Sequence, residues 1–230
     1  MKKLLLVFSV ATLLLVLAGC PSWFPPTFPS DGQKALDEYP IQDVLDERDA
    51  SDNDIGAEIA GVITYIYDNY LVVQNGTAGI KIFKFGAFAG TTLKRGDVVT
   101  AEGTVTYYYD NYELLIDNAS DVEKVDEGFE VEIQNFPADT EINKSVGQEY
   151  NYELVKLTDV NVEEAADTHH NVDVSNGSTE TVTIYSFDSD VRDWLDSLSV
   201  GDTIEEVIGF VENTYGWKII IRDQDDYTDE

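Results

Sequence analysis

GVITYIYDNYLVVQN, residues 61–75, is answered 42 positions later by GTVTYYYDNYELLID, residues 103–117. Each copy has a leading glycine, a T-Y-x-Y-D-N-Y block and an apolar run. Asp and Asn tolerate turn backbone, so each segment reads as a β-hairpin, turning at Asp68-Asn69 in one and at Asp110-Asn111 in the other. The tyrosines on either side then meet as cross-strand pairs, worth roughly 0.2–1 kcal/mol each without any ligand.

Outward from these hairpins the chain keeps a strand rhythm. Ile59, Gly61, Ile63, Tyr65 and Tyr67 alternate with Glu58, Ala60, Val62, Thr64 and Ile66, the period of two that a strand requires. Tyr70–Gln74 forms the next strand. Asn75-Gly76, a strong hairpin signal, leads through Gly79 to a third strand at Ile80–Phe85. Residues Gly86–Arg95 cross over to a long strand, Val98–Tyr109, with Gly103 on its apolar face as a barrel corner would need. Glu113–Ile116 closes the set. Three meandering strands, a crossover and a final hairpin make an OB-fold-like barrel of five strands.

A looser repeat spans the halves. Leu93-Lys-Arg-Gly96-Asp97 recurs as Leu198-Ser-Val-Gly201-Asp202, and Asn75-Gly76-Thr77 as Asn176-Gly177-Ser178. Gly209–Ile221 repeats the long hairpin that Gly103 opens. The second crossover is helical by pattern: Val191, Trp194, Leu195 and Leu198 fall at i, i+3, i+4 and i+7, behind a cap at Asp188 or Ser189. The chain is therefore expected to be all-β, with two tandem OB-like barrels. The first spans 54–126, a connector 127–149, and the second 150–230 with an acidic tail.

The start of the chain is of another kind. Lys2 and Lys3 precede an apolar run from Leu4 to Leu17, and the stretch ends Leu17-Ala18-Gly19-Cys20. This describes a secretory signal peptide over residues 1–19, too short for a spanning helix. Pro21, Pro25, Pro26 and Pro29 are four of the chain's six prolines, and with the run of aspartates after them residues 20–53 read as an extended, flexible tether, with one helical turn at Ile41–Leu45. Asp52 and Asp54 with Gly56 share a calcium loop's alternation but lack its other ligands and closing glutamate.

Two resemblances follow from these residues. Leu-Ala-Gly-Cys resembles the lipobox of bacterial lipoproteins. That likeness implies cleavage before Cys20, lipid on Cys20, and a membrane-anchored place in the bacterial cell envelope, periplasmic or surface-exposed. AGVITYIYDNYLVVQNGTAGIKIF (60–83), LKRGDVVTAEGTV (93–105) and EYNYELVKLTDVNV (149–162) resemble the tandem OB-type domains of bacterial secreted and surface proteins, some of which accompany extracellular nucleases. The likeness concerns fold, and the nuclease domain has no counterpart here.

Chemistry is sparse by comparison. The only histidines, His169 and His170, are adjacent, and Cys20 is the single cysteine. Two neighbouring imidazoles on extended backbone diverge, so no zinc set is expected. Glycine-rich phosphate loops and nucleophile elbows are absent. The expectation is a non-enzyme with no cofactor and no metal.

Binding is the remaining role. In OB-folds the face of strands 2–3 and the loops joining strands 1–2 and 4–5 contact oligonucleotides or oligosaccharides. Both YDNY turns belong to those loops. Tyr67, Tyr70, Tyr109 and Tyr112, with Lys81 and Phe83 on strand 3, form the candidate rim. The formal net charge is −31, and −33 once residues 1–19 are removed, with 12 basic residues then facing 45 acidic ones. Nucleic-acid affinity rests largely on cations displacing counterions from phosphates, so this balance disfavours a nucleic-acid partner. The expected function is a lipid-anchored binding module for a protein, glycan or small ligand. The alternative is a single-stranded nucleic-acid binder accessory to extracellular nucleic-acid processing.

Overall fold

A computed structural model describes residues 29–229. The signal peptide, Cys20 and the prolines at 21, 25 and 26 lie outside the described residues. The rest is mostly β. In the first half the strands are β1 (Ile55–Tyr67), β2 (Tyr70–Asn75), β3 (Ala78–Phe83), β4 (Val98–Tyr108) and β5 (Asn111–Leu115). They pair in the order β1-β2-β3-β5-β4, and β4 returns to β1, so the sheet closes on itself. Only the β3–β5 contact is parallel, with Lys81 opposite Glu113. A sixth strand, β6 (Val122–Asp126), extends the β4 edge.

The second half repeats this wiring. After a short β7 (Gln134–Asn135) come β8 (Leu154–Glu164), β9 (Val172–Ser175), β10 (Val182–Ser186), β11 (Thr203–Asn213) and β12 (Trp217–Ile221), ordered β8-β9-β10-β12-β11 and closed by β11–β8. A last strand, β13 (Tyr227–Asp229), pairs with β11 as β6 does with β4. The chain is thus two closed five-stranded barrels of tandem OB-like plan. Glycine explains one shared detail: a Cβ at Gly103 would sit 2.4 Å from the Leu115 carbonyl oxygen, and one at Gly209 would sit 2.5 Å from that of Ile220. Each long strand carries glycine where its hairpin partner crowds the backbone.

Among the described residues four α-helices complete the fold. Residues 31–51, read from sequence as tether, form α1 (Asp31–Glu38) and α2 (Ile41–Ser51). Ala35 and Leu36 pack on Ala60, Val62 and Val98, while Ile41 and Leu45 enter the first barrel's core. The reason is the apolar spacing at 35–36, 41 and 45, which the neighbouring prolines and acids obscure. Asp52, with φ 53°, ends α2 in the left-handed region, its N–H bonded to the Arg48 carbonyl oxygen. The connector also folds: Phe136, Ala138 and Ile142 join the second core, and α3 (Lys144–Glu149) is capped by Asn143. In the second crossover, α4 (Ser189–Ser197) follows an Asp188 cap that accepts from Asp190 N and Val191 N, and it buries Val191 and Leu195 as the pattern requires.

Residues 31–230 form one compact unit. A third apolar cluster joins the barrels, with Tyr70 and Val72 from the first meeting Tyr152, Leu154, Phe210 and Ile220 from the second. Buried polar groups bridge the same seam. Gln74 Oε1 accepts from Leu154 N at 2.9 Å, and Asn111 Oδ1 accepts from Asn151 Nδ2 and Asn213 N. Burial at this seam, with help from Glu149, pushes the Glu153 carboxyl up to about 8. Its folded value exceeds the ordinary 4.5, so folding takes up a proton between these limits and stability falls as pH rises through that window. Water reaching the hollow beside Glu153 screens the effect. Glu153→Gln is expected to stabilise the fold by about 1–2 kcal/mol at pH 8 and by almost nothing near pH 4.5. Urea midpoints at the two pH values check this.

Candidate functional site

Where the two barrels meet at the surface, the seam opens into a cleft walled by aromatic rings. The first turn is where sequence places it: Asp68-Asn69 joins β1 to β2, and Tyr67 pairs with Tyr70, ring centroids 5.5 Å apart. The second turn is shifted by one residue. Tyr108 pairs with Asn111, and Tyr109-Asp110 forms the bend, with φ of 49° and 65°. Two positive φ values are what a tight two-residue hairpin requires, and they put a tyrosine at the tip. Asp110 is fixed there by Tyr107 Oη at 3.1 Å and by Lys144 Nζ at 2.5 Å, the lysine holding its carboxyl below the usual range.

The second barrel supplies the facing wall. Phe187 stands between two anchored residues: Ser186 Oγ donates to Ile221 O at 2.7 Å, and Asp188 caps α4. Its ring lies 6.0 Å from Tyr67 and 5.2 Å, edge-on, from Tyr185. A line of rings, Tyr70–Tyr67–Phe187–Tyr185, therefore crosses from one barrel to the other. At the β11–β12 turn Tyr215 has φ 56° and is fully exposed.

Among the described residues three adjoining cavities share these walls, and Phe187 borders all three. The central one, about 480 Å³, is lined by Tyr67, Tyr70, Tyr108, Tyr109 and Tyr215 above Lys81, Glu113 and Glu212. Both YDNY turns thus face one mouth. One flanking cavity, about 600 Å³, brings Arg95, Arg192 and Arg222 beside Asp188 and Asp223. The other, about 610 Å³, holds Asp167, His169, Asn171, Tyr185 and Lys218.

The candidate rim separates on this geometry. Tyr67, Tyr70 and Tyr109 line the cleft. Tyr112 does not: it is buried, pairs with Tyr107, and its hydroxyl donates to Asp49 of α2 at 2.8 Å. Strand alternation turns it away once the bend moves to 109–110. Phe83 packs into the seam between the barrels. Lys81 reaches the cleft floor but is neutralised, with Nζ 2.7 Å from Glu113 and 3.1 Å from Glu212. Burial alone would lower this ammonium, and the two carboxylates outweigh it and hold it above its usual value. Tyr108, Phe187 and Tyr215 escaped the sequence reading because each sits at the end of its strand or beyond. His169 is an exposed residue at the cleft edge, and His170 Nδ1 lies 2.7 Å from Asp196.

No protein-family model matches the chain, and no curated protein matches it. Three solved structures show a distant likeness. The hypothetical protein YgiW of E. coli has a TM-score of 0.29 and 19% identity, over 35% of this chain and 86% of its own. The wild-type single-stranded DNA binding protein of Thermus aquaticus has 0.27 and 12%, over 77% and 81%. A multidomain protein with nucleic acid binding domains from Streptococcus pneumoniae has 0.21 and 14%, over 74% and 46%. At such scores these likenesses add nothing to the strand order and closure of the barrels.

Proposed function

We propose that this chain is a non-catalytic, lipid-anchored envelope protein that binds an oligosaccharide in the cleft between its barrels. The observation that carries the reading is the line of rings across two rigid scaffolds, continuous through Phe187. Flat aromatic faces offer apolar area with little rotamer freedom to lose, and pockets of a few hundred cubic ångströms with convergent polar groups are the usual form of a ligand site. Asn213, Thr214 and Glu113 line the cleft with the rings, side-chain types that donate to and accept from sugar hydroxyls. The OB plan accommodates oligosaccharides on this side of the barrel. The lipid anchor is supported by the Leu17–Cys20 motif and the leader before it.

A single-stranded nucleic acid would also stack on such rings, and three arginines border one end. Two of them are already engaged, Arg95 with Asp223 and Arg222 with Asp226. With the cleft's carboxylates and the overall charge, this favours the glycan. Phe187→Ala is expected to weaken oligosaccharide binding at least about tenfold, the equivalent of 1.4 kcal/mol. Calorimetric titration of neutral oligosaccharides against wild type and variant checks this. Parallel titration with labelled single-stranded oligonucleotide should show no saturable binding at moderate salt. Tight binding there that fades steeply with added salt would replace the glycan reading with the nucleic-acid one.

A further inference from the structure

Lys218 on β12 is a cation with no carboxylate in ion-pair contact among the described residues. It is 7% exposed, it borders the 610 Å³ cavity, and its Nζ gives one hydrogen bond, to Asn171 Oδ1 at 2.8 Å. The ammonium also lies 5.2 Å from the centre of the Tyr185 ring. Its partner across the hairpin is Glu212, which would ordinarily neutralise it. Glu212 is turned elsewhere: its Oε1 is 3.1 Å from Lys81 Nζ and accepts from Tyr152 Oη at 3.2 Å. Among the described residues no carboxylate reaches ion-pair distance of Lys218 Nζ. A lysine has three N–H donors, and Asn171 engages one of them. A buried charge in that condition is costly, and such costs are commonly tolerated where a ligand relieves them.

The surroundings are built around this ammonium. Asp167 lines the same cavity, but its oxygens accept from His169 N at 2.7 Å and from Asn171 N and Nδ2 at 3.0 Å. Those bonds, Asn171's first, pull its carboxyl down to about 2 and fold the loop so that Asn171 meets Lys218. Burial lowers the Lys218 ammonium in turn, and Asp167, Glu212 and Asp173 oppose this only from beyond contact distance. Lys81, at the floor of the neighbouring cavity, has two carboxylates in ion-pair contact, a contact that Lys218 lacks.

We propose that Lys218 anchors one carboxylate of the bound glycan, so that the cleft selects an oligosaccharide bearing a single acidic sugar, of uronic or sialic type. A net charge of −31 repels a polyanion, whereas one isolated acid group meets this cation at short range. The inference rests on the glycan reading and deepens it.

Its test is a set of matched pairs: sialyllactose and aldotetraouronic acid, each titrated beside its methyl ester. Wild type is expected to bind the acids at least about tenfold more tightly than the esters. Lys218→Met should abolish that preference without lowering the melting temperature, while Phe187→Ala should weaken acid and ester alike. Equal affinity of wild type for acid and ester, a comparison that needs no variant, overturns the anchor and leaves the glycan reading standing. So does a preference that survives in Lys218→Met. Absence of binding by every member of the set sinks both.

Discussion

Replacing Lys81 by methionine is expected to destabilise the protein by about 3–5 kcal/mol, the largest effect of any single change considered. The reason is an asymmetry of burial. Lys81, Glu113 and Glu212 are 9%, 6% and 4% exposed, and one ammonium serves two carboxylates from different barrels. Glu212 Oε2 is buried without a hydrogen-bond partner even in the intact protein. Methionine fills much of the same space but leaves two buried acids with no cation between them. Water would have to enter the seam, or the seam would have to open. For a protein of this size the loss corresponds to a fall in melting temperature of roughly 6–20 °C. The matching triple variant, Lys81→Met with Glu113→Gln and Glu212→Gln, removes all three charges and should recover most of the loss. A Lys81→Met protein that melts within a degree or two of wild type would mean that this cluster does not hold the barrels together.

The second large effect is expected at Gly79. A Cβ there would lie 2.3 Å from the Tyr152 carbonyl oxygen, 2.4 Å from its carbon and 2.9 Å from Glu153 N. All three are backbone atoms, and Tyr152 is fully buried with φ 59°, so no flexible side chain can move aside. Overpacking usually costs 1–3 kcal/mol, and a clash with fixed backbone belongs at or above the top of that range. Gly79→Val should therefore destabilise by about 3 kcal/mol or more. The strain falls between the barrels rather than inside either. Heating should then give two separate calorimetric transitions where wild type gives one. A single transition near the wild-type temperature would refute this account of the seam.

Much of the barrel could be read from the sequence because its cause is local. Period-two alternation, Asn75-Gly76 and Gly103 specify strands and turns whatever surrounds them, and the duplicated YDNY phrase exposed the hairpins. The helix over 189–197 was legible from its i, i+3, i+4, i+7 spacing. The bend at 109–110 was not. Asp-Asn reads as the better turn, yet Asn111 is drawn into the seam by Asn151 and Asn213, and the register follows it. Lys81 looked like a free cation on a binding face because its partner Glu212 lies 131 residues away. Long-range contacts of this sort leave no trace in local pattern. The same is true of the cleft: Tyr67 and Tyr109 were singled out one barrel at a time, while Phe187 gains its meaning only from the neighbour it faces.

That shared wall bears on how the duplication could have evolved. Once Phe187 of one copy came to complete the ring line of the other, neither copy could drift or be lost alone without breaking that line. The two halves therefore ceased to be spare parts for each other. Each is expected to tolerate sequence change freely on its outer faces and hardly at all along the line where they touch.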